Sequence, residues 1–421
     1  MEKINGILCG MLLPTFLILA GIFFAFRLKL FYILHPIRVF KEILGSHGGF
    51  SSLCVALAGT LGIGNIVGVA SAILMGGYGS IFWMWISAFL AMGLKYVEVY
   101  LGIKSRRKAN GKYYGGAPFY IYDGIKSKHS ECVAFIFGAI FAILCVLNSF
   151  STGNLVQTNA VSTLLPVTPL VFGILFSLLG FLVVIKGITG ISRFNSILIP
   201  ILSIFYIALC LFIILKNINL IPNAFYKIFV SAFSPRSFLS GTMGFTIAQA
   251  IRYGTSRGLL SNEAGCGTSP CAHASSNTES AHNQACLGIF EVFFDTIVLC
   301  TLTALVIIVS APKHALSPLE LVLSAFETNL GSFGKWGVII SCVLFAFATI
   351  CTQYFYGVES LKFISKSKKA RNIFTALFFL VTVIGAIIPM SLMWQISDLI
   401  LGVMTIFNLV FLLYLNKKVA V

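Results

Sequence analysis

Charge is what this chain has least of. Asp, Glu, Lys and Arg make up 10% of its 421 residues while 58% are hydrophobic, too little polarity to wet the surface of a soluble domain. Acidic residues are scarcest, 13 against 29 Lys and Arg, for a formal charge of +16. The eleven cysteines contain no CxxC pair and mostly fall inside apolar stretches, where thiols act as small buried hydrophobes. Cys266, Cys271 and His273 are close in sequence, yet their spacing fits no zinc pattern. Ser261 and His273 are not spaced as a catalytic group, so no enzyme is expected. The first apolar run is read as a retained helix, because only Lys3 precedes it and no small-residue cleavage site separates it from the following basic stretch.

What is abundant is apolar length. Residues 12–26, 53–75, 81–103, 132–147, 169–185, 197–215, 239–252, 289–310, 336–355, 373–393 and 399–415 approach or exceed the roughly 20 residues that cross a bilayer. Helices follow, since backbone groups in hydrocarbon need internal partners, and about eleven crossings are expected. Basic residues cluster at 27–41, 104–128 and 362–371. Taking these as cytoplasmic puts the N-terminus outside and the C-terminus inside a multi-pass cell-membrane protein. Loop bias and anionic headgroups account for the charge, so membrane lipid is the expected partner and nucleic acid is not.

Three polar or basic stretches divide the chain. An extra helix with its basic segment occupies 1–50, and two sets of about five crossings occupy 51–216 and 238–416. An odd number forces the second set to enter with opposite topology, an inverted repeat.

In each set the first crossing is interrupted. Residues 58–68, AGTLGIGNIVG, place Gly59, Gly62, Gly64, Thr60 and Asn65 in an apolar run, where each glycine costs roughly 1 kcal/mol of helix propensity. Unwound backbone at that depth is tolerated where it lines a cavity, and its freed amides and carbonyls suit a carboxylate and a cation. The competing reading is a small-xxx-small packing face through Gly64 and Gly68. The second interruption spans 241–265 and is rich in Gly, Ser, Thr and Arg. There Gln249 is the deep position, while a cytoplasmic loop explains Asn262 and Glu263 as well as a cavity does. Glu291 and Asp295, four apart, share a helical face and repel unless one is protonated or paired. Intramembrane carboxylates point to a proton relay or cation path, or to a structural pair with a base. Lys95 and Glu98, at i and i+3, are placed to satisfy one another.

Several motifs in order resemble the alanine/glycine:cation symporter family: 58–72 (AGTLGIGNIVGVASA), 81–85 (IFWMW), 95–98 (KYVE), 115–121 (GGAPFYI), 153–157 (GNLVQ), 248–254 (AQAIRYG) and 257–265 (RGLLSNEAG). The resemblance covers nearly the whole chain. It implies an all-α polytopic membrane protein with the leucine-transporter-type fold, two inverted five-helix repeats with the first helix of each discontinuous, preceded here by one extra helix. It implies Na⁺- or sometimes H⁺-coupled uptake of a small amino acid such as alanine or glycine, with no organic cofactor. Carried onto this chain, the backbone of Thr60, Gly62, Ile63, Gly64 and Asn65 would hold the substrate carboxylate. Gln157, Phe245 and Gln249 would line the pocket, and Na⁺ would sit between the carbonyls near Gly59 and Leu61 and the hydroxyl of Thr349.

The chain departs from the family at Ala348, Gln353 and Ile63, where the family commonly has Ser, Trp and Thr. The missing hydroxyls weaken a site for a hard cation. If Gln353 walls the pocket, a larger or more polar substrate such as glutamine or serine fits. The expected mechanism is alternating access. H⁺ coupling through Glu291 or Asp295 is the alternative within transport, and a passive channel the alternative of another class.

Overall fold

Helices stop where glycine and polar residues interrupt the apolar runs, and that rule accounts for most of the architecture. In the computed structural model the described residues are 2–46, 48–109, 111–234, 237–239, 243–311 and 317–419, with side chains described outside 2–4, 237–239, 243–245 and 390–392. The described helices begin with α1 (Asn5–Arg27) and the short α2 (Pro36–Leu44). The pair α3 (Phe50–Thr60) and α4 (Val67–Gly76) is joined by a tight turn, Ile63–Asn65. α5 (Gly79–Lys104) leads to a hairpin, β1 (Arg107–Ala109) and β2 (Lys112–Tyr114), and to α6 (Ala117–Lys126). Next come α7 (Glu131–Ser162), α8 (Pro169–Val184), α9 (Gly187–Lys216) and α10 (Ile221–Phe233). The second half opens with β3 (Ser237–Leu239) and β4 (Met243–Phe245), then α11 (Ile247–Asn262) and α12 (Ser269–Ala274). It ends with α13 (Ala281–Ser310), α14 (Pro318–Ile364), α15 (Lys368–Ile387) and α16 (Met390–Tyr414).

Eight described helices are long and apolar enough to cross a membrane. The expectation of about eleven adds to these α8, the interrupted pair α3/α4 and the run 239–252, whose described part forms β3, β4 and the start of α11. Within α14, Gly331 takes φ 61° and ψ −150° and turns the chain between a short arm and a long one, a conformation glycine adopts without steric cost. Exposed apolar side chains such as Ile174, Leu178, Ile201, Ile204, Leu377 and Leu380 stud α8, α9 and α15, as a lipid-facing belt requires.

Burial is concentrated on the interrupted pairs. Every residue from Ser52 to Ile73 is buried, and so is every residue from Thr255 to Ala274 except Ser256. Three described helices carry a widened π-type turn, Leu8–Leu12 in α1, Ser151–Leu155 in α7 and Phe293–Cys300 in α13. Such turns recur at functional sites because they re-aim side chains. The turn in α13 brings Asp295 to Asn65 and Ser261, and the turn in α7 brings Asn154 to the Phe378 carbonyl on α15.

Candidate functional site

The first interruption is a true break. After Thr60 the backbone leaves the helix at Leu61 (ψ 83°), extends through Gly62 (φ −128°, ψ −153°), makes one tight turn and re-enters a helix at Val67. Neighbouring side chains take over the freed groups. The Ile63 N–H donates to Gln157 Oε1 (3.2 Å), and the Gly62 N–H to Asn65 Oδ1 (3.2 Å). The Thr349 hydroxyl donates toward the Leu61 carbonyl (3.2 Å). A β-carbon on Gly62 would stand 2.8 Å from Gln157 Oε1 and 2.9 Å from Thr349 Oγ1, and one on Gly64 3.1 Å from the Ser261 backbone. Glycine is required here because three other elements approach the backbone closely. Gly64 and Gly68 do not form a helix-packing stripe, because Gly64 lies in the turn outside the helix and a β-carbon on Gly68 would meet nothing within 4 Å.

Most of the expected site residues meet at this point. Thr60, Gly62, Ile63, Gly64, Asn65, Gln157, Thr349 and Gln353 are all buried. Gly59 lies against α14, where a β-carbon would meet the Tyr356 hydroxyl at 2.8 Å and Thr352 at 3.2 Å. Gln353, one turn beyond Thr349, presses on Gly153 and donates to Glu263 Oε1 (2.8 Å) while its own carbonyl oxygen has no partner.

Two expectations need separate statements. Gln249 is not a deep position: it is exposed, and it caps its own helix by exchanging hydrogen bonds with Thr246. The pattern Thr246 followed by Gln249 is a capping box, a local helix-start signal that looks the same in sequence as a polar residue in a cavity. Phe245 belongs to β4, and its side chain lies outside the described residues.

The second break falls further along the chain than the middle of the 241–265 stretch. α11 runs unbroken to Asn262, and the chain is non-helical over 263–268, where it turns through Glu263, Gly265 and Gly267 at φ 49°, 86° and 81°. Asn262 and Glu263 are therefore buried groups at a break rather than cytoplasmic loop residues. Carboxylates hold this segment. Glu98 accepts from the Gly265 N–H (3.1 Å), the Gly267 N–H (2.7 Å) and Asn408 (2.6 Å). Glu263, in a left-handed conformation that costs a non-glycine residue about 1 kcal/mol, is tied by Gln353 and by the Thr268 hydroxyl (2.6 Å).

Lys95 and Glu98 are not partners. Lys95 forms a fully buried ion pair with Glu291 (3.1 Å) and a hydrogen bond to Ser269 (2.8 Å). Glu291 also meets His273 (3.1 Å), which contacts Gln284 (2.7 Å), and Gln284 donates to Ser52 (2.8 Å) on α3. This chain of polar contacts ties the second break to α3, the N-terminal half of the first. Asp295 is satisfied differently. It accepts from Asn65 (2.7 Å), Ser261 (2.7 Å) and Thr296 (2.8 Å), so the Glu291 and Asp295 carboxylates are held apart by separate partners. Cys266 pairs with the Thr405 hydroxyl and Cys271 packs at Gly116.

From Thr349 a polar seam runs between α3, α9 and α14. Asn195 donates to Thr352 (2.9 Å), Ser51 meets Ser192, and Ser196 approaches Ser51 (3.4 Å). It leads toward a cavity of about 540 Å³ lined by Ile188, Ile191, Phe355, Glu359, Lys362 and Arg371.

A helical bundle with two interrupted helices whose breaks face each other across buried polar groups is the architecture of a secondary transporter. Its fold is that of a Na⁺-coupled sialic acid symporter captured substrate-bound and outward-open: the two share 15% identity at a TM-score of 0.53, covering 94% of this chain and 81% of that one. This is the leucine-transporter-type fold with its inverted five-helix repeats. The chain belongs to the sodium:alanine symporter family, whose sequence profile matches residues 1–421. It is 35% identical to the sodium/alanine symporter AgcS of Methanococcus maripaludis over 437 residues, covering 99% of this chain and 94% of that protein. It is 31% identical to the probable sodium/glutamine symporter GlnT of Bacillus subtilis over 429 residues, covering 99% and 87%. Membership makes the protein a multi-pass, cation-coupled amino acid symporter rather than an enzyme.

Proposed function

We propose that the protein imports a small neutral amino acid of the alanine or glycine type together with Na⁺ by alternating access. The observation that carries this reading is the first break, where the Gly62 and Ile63 amides, the Leu61 carbonyl, Gln157 and Thr349 converge. The Gly62 and Ile63 amides, freed at the break and already bound to side-chain oxygens, suit a carboxylate. The carbonyls of Gly59 and Leu61 with the Thr349 hydroxyl supply hard oxygens for Na⁺. Both ligands displace internal hydrogen bonds at one place, so joint occupancy stabilises a geometry that neither reaches alone, the condition for coupling. The membrane potential then contributes roughly 2.3 kcal/mol per charge per 100 mV. In this reading 51–216 and 238–416 are the repeats, 1–50 the extra helix and its segment, and the basic ends face the cytoplasm of a cell whose membrane holds the N-terminus outside.

A second reading, a polar substrate such as glutamine, draws support from Gln353 with its unpartnered carbonyl oxygen and from the similarity to GlnT. Uptake of labelled alanine into proteoliposomes separates the readings, under an imposed Na⁺ gradient or pH gradient and with unlabelled glycine, serine or glutamine as competitor. Concentrative, Na⁺-dependent uptake blocked by glycine is the expected result. Uptake driven by the pH gradient alone transfers coupling to the carboxylates, glutamine transport without alanine transport favours the second reading, and flux that never exceeds equilibrium makes the protein a channel.

A further inference from the structure

Between α1 and the first broken helix lies a surface that the transport reading does not use. α2 is strongly two-sided. Ile37, Phe40 and Leu44 are exposed at 73%, 55% and 68% on one flank, while Arg38 and Lys41 are exposed on the other. Arg27 and Lys29 are exposed at the adjoining end of α1. Among the described residues none of these four bases is in an ion pair. Beside α2 a groove of about 500 Å³ opens toward α5 and α13, lined by Tyr32, Val39, Ile43, Met92, Ile289 and Phe290. The buried Tyr32 hydroxyl has no hydrogen-bond partner. A helix with bulky apolar groups on one flank and bases on the other lies in the headgroup plane of a membrane.

We propose that this groove and the bases above it form a binding site for one anionic phospholipid, with an acyl chain in the groove and the phosphodiester on Arg38 and Lys41. Charge decides the class. Two free cations face headgroup depth, the helix's one acid, Glu42, is half-buried, and a zwitterionic headgroup would bring its own cation against them. The site has mechanical leverage, because α2 passes through Gly45, Gly48 (φ 84°) and Gly49 straight into α3. A lipid that clamps α2 therefore restrains the half-helix that leads to the first break. That consequence for the transport rate rests on the proposed cycle, whereas lipid binding itself does not.

The test uses the purified, delipidated full-length protein and native mass spectrometry, with dioleoyl phosphatidylglycerol or dioleoyl phosphatidylcholine titrated in. Phosphatidylglycerol is retained at a concentration on the order of tenfold lower, as two bases at a membrane surface produce. The double variant Arg38→Gln/Lys41→Gln loses the preference, and the charge-keeping Arg38→Lys/Lys41→Arg restores it. Equal retention of both lipids, an unchanged preference in the neutral variant, or a lipid-free dimer with this face buried would overturn the site. Uptake measured in vesicles of either lipid then reads the leverage: selective binding with identical uptake overturns it. Selective binding with no uptake in any vesicle faults the transport reading and leaves the lipid site standing.

Discussion

The two breaks do the same thing to the backbone and are dressed in opposite ways. Around 61–66 the backbone's own partners are neutral, the side-chain amides of Gln157 and Asn65 and the hydroxyl of Thr349, and the carboxylate nearby, Asp295, meets the Asn65 side chain rather than the backbone. Around 263–268 they are carboxylates, with Glu98 receiving two backbone N–H groups and Glu263 folded back on Thr268 and Gln353. Bonds to an ionised carboxylate are roughly twice as strong as neutral ones, and at the second break Glu98 places one carboxyl on two freed N–H groups. In the proposed cycle the neutral bonds of the first break are the ones that a ligand carboxylate and cation replace. On that reading the first break exchanges partners while the second anchors the bundle.

That contrast is open to attack, and the largest effect belongs to the anchoring side. Lys95→Met leaves Glu291 buried without its cation, and losing one partner of such a pair costs about 3–5 kcal/mol. Monodisperse protein should disappear from detergent extracts by size-exclusion chromatography, and Lys95→Met with Glu291→Leu should recover much of it. A stable, active single variant would mean that the pair is not structural.

Glu98→Ala comes next, stranding two buried N–H groups at about 1–3 kcal/mol each. Thermal unfolding in detergent should shift down sharply, whereas Gln157→Ala, which strands one, should unfold near the wild-type temperature yet lose uptake. If the two variants behaved alike, the distinction between anchor and exchanger would collapse.

Gly62→Ala sharpens the exchanging side. Its β-carbon enters space held by Gln157 and Thr349, and overpacking of about 1–3 kcal/mol at the ligand site should cut uptake at least tenfold while expression and monodispersity hold. Normal uptake would remove the first break from the binding site. The smallest effect is that of Thr349→Ala. One lost hydroxyl, worth about 1 kcal/mol, should raise the half-saturating Na⁺ concentration several-fold with little change in alanine affinity at saturating Na⁺. An unaltered Na⁺ dependence would move the cation elsewhere.

How much of this was legible beforehand differs between the same two regions. The first break announces itself, because Gly59, Gly62 and Gly64 beside Thr60 and Asn65 have no reason to sit in an apolar run unless the helix opens. At the second, composition pointed to the right stretch and the wrong residues within it. Gln249 reads as a cavity lining and is an exposed helix cap, while Asn262 and Glu263 read equally as loop and are buried. Polarity in sequence does not carry depth. Lys95 illustrates the same limit, since its near neighbour Glu98 is the local candidate and its actual partner is 196 positions away.

By itself, then, the sequence determined a membrane-embedded helical bundle, its apolar spans, its charge bias and the first interruption, all of which follow from local composition acting against a fixed hydrocarbon thickness. Tertiary structure alone decided which carboxylate meets which base, where the second helix opens, and that Glu98 caps two freed amides at one break while neutral side chains cap those at the other. These are contacts between segments far apart in the chain, and burial sets their strength only once the helices have packed.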